Sequence, residues 1–84
     1  MSYQINPSDI VEAYTQVMTS GKPTRYGKEL EGIEACRERH NGNIYLRGVG
    51  VQLTLKDCHG YHIDYSEQSL RDEFLHQIEN LAAK

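Results

Sequence analysis

Tryptophan is absent from this chain of 84 residues, phenylalanine occurs once, and proline and cysteine occur twice each. Isoleucine, leucine, valine and phenylalanine together make 18 of the 84 residues. That fraction sits just above the floor of about 20% below which charged chains stay disordered. A net charge of −3 is too mild to hold the chain open. A single small globular domain over 1–84 is therefore expected, with a thin core. So small a core leaves little room for a buried catalytic pocket of the usual size, roughly 300–1,000 Å³.

Two cysteines, Cys36 and Cys58, are too few for a secreted disulfide scaffold, so reduced thiols and a cytoplasmic setting are expected. No stretch approaches the roughly 18–20 apolar residues that cross a bilayer. The first twenty residues hold Asp9 and Glu12 but no lysine or arginine, unlike a secretory signal. No membrane partner is expected.

What is present points to an α+β fold. Asn6, Pro7 and Asp9 form a helix start, and Ile10, Tyr14, Val17 and Met18 recur on one face until Gly21 and Pro23 stop them. The spacing predicts a helix over about 7–20. A second helix, over about 67–82 and capped by Ser66, carries the stripe Leu70, Phe74, Ile78 and Leu81. Between them, Val49, Val51, Leu53 and Leu55 alternate with small or polar residues, as do Tyr61, Ile63 and Tyr65. With a short strand at Ile44–Leu46 and a turn over 57–60, this predicts a three-stranded antiparallel meander with both terminal helices packed on one face. The other face, or an edge of the sheet, would remain open to a partner.

Residues 28–40 admit two readings. Their glutamate, leucine, alanine and arginine content favours an extra helix, with Gly32 as a costly interruption of about 1 kcal/mol. The Asn41-Gly42 pair instead signals a hairpin joining a strand over 31–40 to one over 43–48. The helix is the preferred reading. The order helix, meander, helix resembles the topology of double-stranded-RNA-binding domains. The last helix, however, carries Glu67, Asp72, Glu73 and Glu79 where such a domain needs basic residues, so no family is assigned.

Three constellations carry chemistry. Cys36 with His40, and Cys58 with His62, are both Cys-x3-His, together a possible zinc set. Cys36 and His40 could meet one ion only if 28–40 is helical, because on a strand they lie about 13 Å apart. Ordinary thiols and surface turn histidines are the preferred reading, so no cofactor is expected. Cys58 and His59, adjacent on a hairpin, point to opposite sides, which defeats that pair as a nucleophile and base. Cys58 with His62, or Cys36 with a histidine of another element, is the remaining arrangement, and a polar, solvated turn is the preferred reading. No enzyme is expected.

The second constellation is basic. Residues 22–56 carry seven bases against four glutamates, whereas both flanking segments are acidic. Arg25, Lys28, Arg37, Arg39 and Arg47 could meet a nucleic-acid backbone, although the interleaved glutamates and a pI near 5.7 argue for a solvated surface. The third is a mixed group, Tyr26, Arg37, Arg39, Tyr45 and Arg47, of the two residue types enriched where proteins bind one another. The leading expectation is a small non-enzymatic binding or regulatory protein that touches another protein or a second copy of itself. Nucleic-acid binding and a zinc-stabilised module are the alternatives.

Overall fold

The computed structural model describes residues 5–40, 42–56 and 60–83. The elements run α1 (Pro7–Ser20), β1 (Lys22–Pro23), β2 (Lys28–Leu30), β3 (Ile33–Arg37), β4 (Ile44–Gly48), β5 (Val51–Lys56), β6 (Gly60–Tyr65) and α2 (Gln68–Ala82). All six strands are antiparallel neighbours in chain order. The fold is α+β with two helices, as expected. The sheet, however, has six strands where three were expected.

The difference arises at 28–40, which is not helical. Glu31 and Gly32 both adopt positive φ, 52° and 82°, and connect Leu30 directly to Ile33. Two consecutive positive φ values make the tight turn whose twist matches a hairpin. Gly32 is thus a turn residue rather than a flaw in a helix. A hairpin forms on the other side as well, though with a shorter strand and a longer connection than a turn at 41–42 alone would give. β3 ends at Arg37, not at 40, and pairs with β4, Arg37 opposite Ile44. Gly42 has φ 73°, and its N–H donates to the Glu38 carbonyl at 2.9 Å. Asn41 and the expected turn residues 57–59 lie outside the described residues.

At the β4–β5 connection, Gly48 pairs with Val51, and Val49 is left in the turn, 83% exposed, rather than beginning a strand. This two-residue loop is why the buried positions switch from even in β4 to odd in β5. Ser66 also differs from its expected role. It does not cap α2, whose N-cap is Glu67; its N–H closes the β6 ladder by donating to the Gly50 carbonyl.

The core lies between the helices and one face of the sheet. Ile10, Ala13 and Val17 from α1 meet Phe74, Leu75, Ile78 and Leu81 from α2, above Ile33, Ala35, Leu46, Val51, Leu53 and Leu55. The start of α1 is fixed by Asn6, whose Oδ1 accepts from the Ser8 N–H at 3.0 Å. At its end the Lys28 ammonium donates to the Met18 carbonyl at 2.9 Å, a cation at the negative pole of the helix. Among the described residues no helix is long and apolar enough to cross a membrane.

Gly48 shows how closely sheet and helix approach. A Cβ there would lie 2.6 Å and 2.9 Å from ring carbons of Phe74, which is itself buried. Gly48→Ala is therefore expected to destabilise by about 1–3 kcal/mol, the cost of overpacking a closed core. A urea melt checks it, and an unchanged midpoint would show that Phe74 has room to move.

Candidate functional site

The face of the sheet away from the helices is built by the same alternation that builds the core. Cys36, Tyr45, Thr54 and His62 stand opposite one another across β3, β4, β5 and β6. One step along the strands, Glu34, Arg47, Gln52 and Asp64 form a second row. Directly opposite side chains lie about 4.5–5.5 Å apart at Cβ, so each row is a run of neighbours.

Two contacts order this face. The Tyr45 hydroxyl donates to Glu38 Oε2 at 2.6 Å. That hydrogen bond, with partial burial, holds the phenol above its ordinary pKa. His62 Nε2 and Asp64 Oδ1 are 3.0 Å apart, on side chains 65% and 68% exposed. Thr54, between Tyr45 and His62, is buried. Partial burial pushes the Cys36 thiol above its ordinary pKa; Arg47 opposes this, and Glu34 and Glu38 reinforce it. A thiol whose pKa is raised is the reverse of an activated nucleophile.

The expected partner set is split by the fold. Tyr45 and Arg47 share the helix-free face. Arg37 ends β3 at a position of core-facing parity, reaching towards Gly42, and Arg39 is exposed in the following turn. Tyr26, 65% exposed, stands in the β1–β2 turn with the Arg25 guanidinium 5.7 Å from its ring. The basic set fares similarly: Lys28 is committed to the end of α1, Arg47 is flanked in register by Glu34, Arg25 stands in the β1–β2 turn and Arg37 at the end of β3.

For the metal set, the helix that would align Cys36 with His40 is replaced by β3 and a turn. Cys36 and His62 are three strand spacings apart, about 14 Å at the usual separation. Cys58 lies outside the described residues. Among the described residues, no group of three or more histidine, cysteine or acidic side chains is placed to hold a metal.

Sequence reasoning missed His62 and Asp64 as a pair. The signal was present, because the alternation of Tyr61, Ile63 and Tyr65 already assigns them to one face. An open groove runs off the end of this face at the β4–β5 turn, between Arg47, Gln52, Asp64 and Tyr65.

No curated protein and no solved structure matches the chain. One family model matches it over residues 5–84, with the description "Protein of unknown function (DUF3081)". Covering all but the first four residues, from α1 through α2, this match makes the chain a member of the DUF3081 family.

Proposed function

We propose that this chain is a small non-enzymatic binding protein of the cytoplasm. It acts through contacts with other proteins made by the helix-free face of its sheet. One observation carries the reading: both helices bury one face, so the other presents Tyr45 and Arg47 side by side in β4 with no element over them among the described residues. Tyrosine and arginine are the residue types that most often dominate binding energy between proteins. Tyr45 is already held by Glu38, so less side-chain freedom is lost on binding. The raised pKa of the Cys36 thiol and the exposed setting of His62 and Asp64 support binding rather than catalysis. The cytoplasmic setting rests on the low cysteine count.

The test uses the full chain, tagged, as bait in an extract of its native host, with captured proteins identified by mass spectrometry. A defined partner is expected with the native chain and with Glu12→Lys, an exposed change on α1. Capture of that partner is expected to fail with Tyr45→Ala combined with Arg47→Glu. Identical captured proteins for all three chains would overturn the reading.

A further inference from the structure

The two edges of the sheet are unlike. β1 is two residues long, Lys22–Pro23, and lysine, proline and shortness are the usual protections of an edge against pairing. At the other edge β6 spans six residues, Gly60–Tyr65, with neither lysine nor proline. Its ladder to β5 reveals which backbone groups are spent. The Ser66 N–H donates to the Gly50 carbonyl at 3.1 Å, one register step beyond Val51 opposite Tyr65. In an antiparallel pair, hydrogen-bonded and non-bonded positions alternate. The even-numbered residues of β6 are therefore bonded to β5, and Tyr61, Ile63 and Tyr65 direct their N–H and C=O groups outward.

We infer that β6 pairs antiparallel with β6 of a second copy of this chain, about a two-fold axis at Ile63, continuing the sheet across both copies. The inference rests on the proposed reading that the chain works through protein contacts, and it names one partner. Outward groups at odd positions require odd residues to stand opposite odd residues, which leaves registers centred on His62, Ile63 or Asp64. Charge selects among these. Centring on Asp64 sets two carboxylates face to face, and centring on His62 sets two imidazoles so. Centring on Ile63 places His62 opposite the partner's Asp64, twice by symmetry. That pair falls at a non-bonded position, where side chains approach most closely. The contact that His62 and Asp64 make within one strand at 3.0 Å is then available across the axis as well. On the helix side the same register sets Ile63 on its own counterpart and Tyr61 on the partner's Tyr65. It covers Tyr65, which is 46% exposed in the single chain, and Ile63, which is only half-buried.

The experiment is sedimentation of the full chain over a concentration series at low salt. The native chain is expected to dimerise. His62→Asp sets like charges opposite each other twice, and is expected to raise the dimer dissociation constant about tenfold. Combining His62→Asp with Asp64→His restores the pairing and should return the constant to near its native value. Amide exchange gives a second readout that needs no variant: the Ile63 and Tyr65 N–H groups should exchange more slowly as concentration rises. A chain monomeric at every concentration would overturn the inference. So would a dimer whose affinity ignores His62→Asp and whose Ile63 amide stays unprotected. A monomer that still loses a captured partner on Tyr45→Ala with Arg47→Glu would sink the β6 pairing while leaving the proposed function standing.

Discussion

Leu53→Ala is expected to cost about 2–5 kcal/mol of folding stability. Leu53 is fully buried in β5, opposite both Leu46 and Ile63, and belongs to the cluster that joins the sheet to both helices. Removing its branched end leaves a cavity that neither neighbouring strand can fill without breaking register. At roughly 0.05–0.15 kcal/mol per residue, a chain of this length has about 4–13 kcal/mol to lose. The single substitution thus removes a large part of the whole. For a domain this small each kcal/mol shifts the melting midpoint by roughly 4–8 °C, so calorimetry reads the change directly. A midpoint within about 4 °C of the native value, less than 1 kcal/mol by the same conversion, would mean that Leu53 is not packed as described.

The second large effect is expected at Gly27. Its N–H donates to Thr24 Oγ1 at 3.0 Å and its carbonyl accepts from the Thr24 N–H at 2.8 Å, which closes the turn between β1 and β2. A Cβ on Gly27 would overlap the carbonyl oxygen of Ala35. That atom belongs to the backbone of β3, and Ala35 is itself fully buried, so it has nowhere to retreat. Gly27→Ala is expected to cost at least the upper end of the 1–3 kcal/mol typical of overpacking, about 3 kcal/mol. The damage should be local in its first stage: β1 and β2 lift from β3 before the rest opens. Amide exchange would show this as faster exchange at Lys28–Leu30 than in α2. Uniform acceleration along the chain would show that the hairpin and the core open as one unit instead.

How much of this was legible beforehand varies with the element. Both helices announced themselves, because capping residues and a repeated apolar face are local signals that need no knowledge of the rest of the chain. Strands β5 and β6 were legible for the same reason, as alternation over five or six residues. Strands β2 and β3 were not, because their residues have good intrinsic helix propensity and Ile33 and Cys36 do not alternate. Two positive φ values at Glu31 and Gly32 settled the matter. They cost little at glycine, and pairing with β4 stabilises the strand form by burying Ile33 and Ala35. Local propensity lost to a long-range gain it could not register.

The site divides along the same line. Scarcity of large apolar residues, two cysteines and a small acidic net charge belong to the sequence alone, and they already pointed to a thin core. Alternation alone placed His62 and Asp64 on one face of a strand. Only the tertiary structure decided which residues became neighbours. It set Tyr45 and Arg47 on the same open surface, placed Arg25, Arg39 and Tyr26 in turns and Arg37 at the end of β3, and separated Cys36 from His62 by three strand spacings. It also made one edge of the sheet a two-residue strand of lysine and proline and the other a six-residue strand with neither. The physical reason is that strand register is set by cross-chain pairing: a two-residue turn at 31–32 or 49–50 fixes which side chains meet, and composition carries no record of it.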